Sequence, residues 1–153
     1  MQKSATSQSD LKRMEEVLEQ LLQIHQIDYL IADSNFQIIL MSSGMQKFSP
    51  ATESIELDCD VRFLLPELVG LEAEFTEVLE GRKKSYKLNC VAKEIPHIGI
   101  RYFSLNMETI QPQNNFSDCL LLSLKDITQA TLIYQDIVQK SNEYYLLVSQ
   151  QVS

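Results

Sequence analysis

Apolar residues recur three and four apart near the start of the chain, at Leu11, Met14, Leu18 and Leu21, and the series continues to His25. Val17 and Leu22 widen the stripe, which predicts an amphipathic helix capped by Asp10 and running to about residue 26. Residues 1–9 are polar and rich in Ser and Gln, and fraying is expected there. The pattern then shortens. Tyr29-Leu30-Ile31-Ala32-Asp33 and residues 37–42 read as two strands of a hairpin, with Ser34-Asn35-Phe36 as the turn. A polar loop around Ser49-Pro50-Ala51-Thr52 leads to Val61-Arg62-Phe63-Leu64-Leu65, a short helix with Pro66 at its end. Residues 72–80 form a helical pattern with Phe75, Val78 and Leu79 on one face, and Gly81 suits a left-handed cap. Three strands are predicted next, over 85–93, 100–110 and 120–125. Pro96-His97-Ile98-Gly99 and Gln111-Pro112-Gln113-Asn114-Asn115 separate them. A last helix is expected from near Thr128 to about residue 150.

Helix, two strands, short helices, three strands, helix is an α+β order. It implies a five-stranded antiparallel sheet with helices over one face, flanked by N- and C-terminal amphipathic helices. Alternation points Tyr86, Leu88 and Cys90 inward on one strand and Phe103, Leu105 and Met107 on the next; the last strand is apolar on either face, and Leu120, Leu122 and Leu124 are taken as its inward set. Ile31, Ile39, Phe63, Leu64, Phe75 and Leu79 complete the expected core. The closing strand runs directly into Asp126-Ile127-Thr128. Asp126 and Thr128 can each place a side-chain oxygen on the free N–H groups of a helix's first turn, coupling sheet to helix rigidly.

These segments resemble the PAS domain family. Tyr29-Leu30-Ile31-Ala32-Asp33 with Phe36-Gln37-Ile38-Ile39 is similar to its opening hairpin. Asp60-Val61-Arg62-Phe63-Leu64-Leu65-Pro66-Glu67-Leu68 is similar to its central helical segment, and Glu80-Gly81 and Asp126-Ile127-Thr128 fit in order. The resemblance divides the chain into an incoming helix at 1–26, a PAS core at 27–128 and an outgoing signalling helix at 129–153. It implies a sensory module of a bacterial, notably cyanobacterial, multidomain signalling protein. A histidine kinase is the favoured output, with a nucleotide cyclase as the other; a module that binds only protein is the alternative. The run Gln139-Lys140-Ser141-Asn142-Glu143-Tyr144-Tyr145-Leu146-Leu147 looks like a linker to such an output domain, and the helical pattern suggests an excised N-terminal fragment. A ligand, if bound, is expected between sheet and helices, against Ile31, Ile39, Phe63, Phe75, Leu79, Tyr86, Leu88, Phe103, Leu105 and Leu122. Signal relay falls to Asp126, Ile127 and Thr128.

Composition narrows the chemistry. A net charge of −8 with no long Lys/Arg block argues against a nucleic-acid surface. No apolar run is long enough to span a bilayer, and the N-terminus lacks the apolar block of a signal peptide. Cys59, Cys90 and Cys119 are odd in number and widely spaced, which fits a reducing cytoplasm and no disulfide framework. Light-sensing relatives carry a flavin-bonding cysteine just before Arg-Phe-Leu. Here Cys59 stands two residues too early, and at about 100° of turn per helical residue the thiol would aim elsewhere. Haem is disfavoured too: His25 lies on the first helix's stripe, His97 in a loop, and residues 72–80, which match the helix that supplies the iron ligand in haem-binding relatives, contain no His. Neither a metal site nor a nucleophile elbow is evident, so no cofactor is indicated and no enzyme is expected. Tyr86 is the inward residue whose hydroxyl needs a partner.

The flanking helices carry the remaining signal. Leu11, Met14, Leu18 and Leu21 need cover, and so do Tyr134, Ile137 and Tyr144 at three-four spacing in the last helix. A second seam through Ile133, Ile137, Lys140, Tyr144 and Leu147 competes with the first. A parallel homodimer would cover both helices.

Overall fold

The computed structural model describes residues 2–49, 56–110 and 118–152. A helix α1 (Gln2–Ile24) leads into β1 (Ile27–Ala32) and β2 (Ile38–Met41). A 3-10 helix (Ser43–Phe48), α2 (Val61–Leu64), a second 3-10 turn (Pro66–Leu68) and α3 (Glu72–Leu79) follow. Then come β3 (Ser85–Ile95), β4 (Gly99–Ile110), β5 (Cys119–Asp126) and α4 (Thr128–Val152). All pairings are antiparallel and the five strands lie in the order β2-β1-β5-β4-β3. The expected α+β sheet-and-helix layout is therefore the one observed.

Helix α1 starts well ahead of Asp10, so the expected frayed tail and Asp10 cap are corrected. The first forty-three residues contain neither Gly nor Pro, so nothing stops the helix from propagating upstream. It ends at Ile24, and Gln26 two residues on, at φ 56°, supplies the left-handed cap that Gly usually provides.

Core assignments on the first hairpin move by one residue. Leu30 and Ala32 are fully buried, while Ile31 is half-buried on the opposite face, paired with Leu40 and Leu121. Both faces of β1 are apolar, so its own pattern left the register open. On β2, Ile38 is buried and Ile39 is 41% exposed. The register shifts between Ile31 and Ala32, leaving Ile39 as the extra residue of a bulge, turned away from the core. Phe63 is likewise 60% exposed, because on one turn of helix Val61 and Leu64 face inward and Phe63 points away. Cys90 is exposed at a bulge in β3 between Leu88 and Val91. Strict alternation across that bulge does not hold.

The inner face of the sheet carries Phe103, Leu105, Met107, Leu120, Leu122 and Leu124, all buried. Helix α3 lays Phe75 and Val78 on it. Gly81 follows at φ 78°, the left-handed cap expected there. The 3-10 helix after β2, a segment to which the pattern assigns no element, adds Met45 and Phe48. Phe36 sits at φ 63°, an uncommon conformation for a bulky residue. Its ring compensates by packing on Phe75 at 5.3 Å between centroids, with the Arg62 guanidinium 4.9 Å above it. Asp33 shapes the turn, its Oδ1 accepting from Asn35 and Gln37 backbone N–H groups. Pro50 to Thr52 and the turn at 111–115 lie outside the described residues.

Candidate functional site

The two ends of the fold meet at one junction. β1 and β5 are antiparallel neighbours, so the residue before β1 lies beside the end of β5. The Asp126 N–H donates to the Gln26 carbonyl at 2.9 Å, bonding the root of α1 to the root of α4. Asp126 Oδ1 accepts from the Thr128 N–H at 2.9 Å and so caps α4, as its position suggested. Thr128 acts differently from expectation. Its hydroxyl accepts from the Tyr102 N–H at 3.0 Å, and the Ile127 N–H donates to the Tyr102 carbonyl at 2.8 Å. β5 has ended there, so Ile127 and Thr128 extend the ladder along β4 by one rung. Thr128 is buried as a result. The outgoing helix is thus hydrogen-bonded to a central strand and to the incoming helix through consecutive residues.

Of the expected pocket residues, Phe75, Phe103, Leu105 and Leu122 come together in the interior. Leu79, Tyr86 and Leu88 pack partly buried against them. Ile31, Ile39 and Phe63 do not join them. The interior instead recruits Phe36, Met45, Phe48, Leu65 and Leu68, which the sequence reading left out. Phe48 meets Phe103 edge-on at 5.1 Å. Met45, Phe48 and Leu68 come from 3-10 turns, too short to show a period, while Phe36 sits in the hairpin turn and Leu65 at the end of α2.

Three charged contacts brace the helical layer. Lys47 pairs with Asp28, which also accepts from the Ser42 hydroxyl at 3.1 Å. Lys93 donates to Glu67 at 2.7 Å. Arg62 joins Asp60 at 2.7 Å to Glu72 at 3.2 Å, tying α2 to the first turn of α3. Hydrogen bonds from the Arg62 side chain hold the Asp60 carboxyl below the usual carboxylate range, burial opposing. The Glu72 carboxyl is lowered first by its own backbone N–H and then by Arg62.

Cys59 is half-buried, and burial, then Asp60 and Glu56, push its thiol up, away from the reactive thiolate. Burial, then Asp33 and Asp118, do the same to Cys119. His25 is exposed just after α1, and His97 lies in the turn between β3 and β4 at φ 66°. Among the described residues no cluster of His, Cys, Asp or Glu could hold a metal, and no helix is long and apolar enough to cross a membrane.

The arrangement of an opening hairpin, a helical layer, three closing strands and two flanking helices is the one the sequence resemblance implied. The chain has the PAS fold. Solved structures with related coordinates include a sensory box sensor histidine kinase from Vibrio cholerae, 18% identical over 84% of this chain and 98% of that one, TM-score 0.47. A PAS domain from Desulfitobacterium hafniense is 16% identical over 66% and 92%, TM-score 0.47. The PAS domain of Bordetella pertussis BvgS is 16% identical over 85% and 98%, TM-score 0.46. No family model matches the sequence, and no curated protein matches it.

Both flanking helices present apolar side chains to solvent. On α1, Leu11, Met14, Leu18 and Leu21 are between 48% and 68% exposed. On α4, Tyr134, Ile137 and Tyr144 are between 59% and 68% exposed, with Ile133 and Leu147 beside them. Five polar residues, Gln139 to Glu143, interrupt the α4 surface.

Proposed function

We propose that this chain is a sensory PAS domain that forms a homodimer through α1 and α4. It passes a signal through Asp126, Ile127 and Thr128 into α4, toward an output domain of the same polypeptide. A histidine kinase is the favoured output and a nucleotide cyclase the second. The observation that carries the reading is the pair of exposed apolar stripes, both rooted at the Gln26–Asp126 bond. Full burial of a Leu, Ile or Met side chain stabilises by about 1.5–3 kcal/mol, so the α1 stripe of two copies supplies ample drive for association. In this reading residues 27–128 sense, 1–26 and 129–153 couple, and the domain works in the cytoplasm without catalysis of its own.

Sedimentation velocity of the purified chain tests the dimer. The wild type is expected to sediment as a dimer, and Leu18→Glu combined with Ile137→Glu as a folded monomer. A wild-type monomer at high protein concentration would refute the reading. A second reading, a pure protein-interaction module, is favoured by the ring pairs Phe36–Phe75 and Phe48–Phe103 that fill much of the interior. Native mass spectrometry separates the two, since a copurifying small molecule belongs only to the sensor.

A further inference from the structure

Helix α1 stands away from the domain. From Ser7 to Gln26 every residue is exposed except Leu22, which is half-buried and borders the stripe of Leu11, Met14, Leu18 and Leu21. At its root, then, α1 turns the striped side toward the domain. The arm hangs on two residues, His25 and Gln26. Gln26 holds φ 56°, a left-handed conformation that suits glycine and strains a larger residue. Strained backbone of this kind collects at hinges and switches.

One face of the sheet beside that hinge is taken. Asp28 lies on the inner face, where its carboxylate accepts from the Ser42 hydroxyl and pairs with Lys47. The 3-10 helix Ser43–Phe48 is thereby clamped over the start of β1. The outer face is open and apolar. Ile31 lies there between its ladder partners Leu40 and Leu121, with Tyr29 two residues nearer the hinge. Leu40 is 48% exposed, and Ile31, Leu121 and Tyr29 are half-buried.

Arm and patch agree in spacing. Along the helix Leu21, Leu18 and Met14 stand about 8, 12 and 18 Å from Gln26, at about 1.5 Å per residue. Along β1 Tyr29 and Ile31 stand about 10 and 17 Å from it, at about 3.3 Å per residue. A tether of two residues also gives the chain's own arm a high effective concentration at the patch, well above that of a second copy in dilute solution.

We infer that α1 is a strap that closes on the outer face of its own sheet, turning at Gln26, and that this closed form competes with the dimer. Closing relieves the backbone at Gln26 and packs Leu18 and Leu21 against Tyr29, Ile31, Leu40 and Leu121. Opening frees the stripe for a second copy. The inference rests on the sensory dimer above and adds its regulation, because only the open fraction of chains presents α1 and the apparent affinity falls by that fraction.

Photo-crosslinking of the full chain tests the closed form. Benzoylphenylalanine replaces Leu18 in an equal mixture of ¹⁴N- and ¹⁵N-labelled protein at low concentration. Crosslinks to peptides of β1, β2 or β5 that carry the same label are expected. Sedimentation velocity then compares dimer affinities. Leu40→Glu spoils the seat of the strap at a position exposed in the open form, and Gln26→Gly lifts the strain of that form. Each should tighten the dimer by about fivefold, as follows from losing about half the burial of one leucine or the strain of one residue. The inference is overturned if no same-label crosslink reaches those strands, or if either variant dimerises no more tightly than the wild type. A weaker Leu40→Glu dimer would mean that the patch receives a partner instead. A chain that never dimerises refutes the sensory dimer itself, whereas a dimer of unchanged affinity in both variants refutes the strap alone.

Discussion

Thr128→Val isolates the rung that joins α4 to the sheet. Valine keeps the branched shape and replaces only the hydroxyl that accepts from the Tyr102 N–H at 3.0 Å. Thr128 is 6% exposed, so water cannot take the hydroxyl's place without opening the junction. Leaving a buried backbone N–H unpaired costs about 1–3 kcal/mol. At about 3 °C per kcal/mol for a domain of this size, the midpoint should fall by about 3–9 °C. The assay is thermal unfolding by circular dichroism, with amide hydrogen exchange read at Tyr102. Thr128→Val should lower the midpoint and speed exchange at that amide, and Thr128→Ser should recover most of both. Asp126→Ala, which removes a half-buried cap, should cost about 1 kcal/mol and leave the fold intact while weakening regulation in a protein that carries an output domain. If Thr128→Val melts with the wild type, the extra rung is not a structural bond. If Thr128→Ser melts as low as Thr128→Val, keeping the hydroxyl does not preserve the junction and the reasoning fails.

A Cβ at Gly44 would lie 2.0 Å from Asp28 Oδ1, a carboxylate already held by Ser42 and Lys47. Gly44→Ala should therefore cost about 1–3 kcal/mol in urea unfolding, and much less in an Asp28→Ala background; equal costs in both would reject the clash. Asp60 and Glu72 have folded pKa values below their unfolded ones, so on acidification the unfolded chain binds more protons. Their contribution is present above the ordinary carboxylate pKa of about 4 and is lost as pH falls through the lowered values. Wild-type stability should drop more steeply than that of Arg62→Met over this acidic range, and parallel curves would show that Arg62 does not link them. Phe75→Ala, at the centre of the inner face, should cost about 3–5 kcal/mol by urea unfolding; a loss below about 1 kcal/mol would mean the interior collapses around it.

Much of this fold follows from local pattern. Phe103, Leu105 and Met107 alternate, Phe75 and Val78 recur at helical spacing, and Gly81 marks a left-handed cap, so these elements are set by period and backbone sterics alone. The stripes on α1 and α4 are legible for the same reason. Tertiary structure decided what local pattern leaves degenerate. β1 is apolar on both faces, and only its pairing with β2 and β5 chose Leu30 over Ile31. The bulges that turn Ile39 and Cys90 outward insert a residue, which no alternation rule anticipates. Asp126 caps α4 as a local rule requires, whereas Thr128 turns to Tyr102 because β5 ends one rung short of β4. The approach of Lys93 to the Phe48 ring beside Lys47, and its pairing with Glu67, join segments distant in sequence, and such a meeting exists only once the chain has folded.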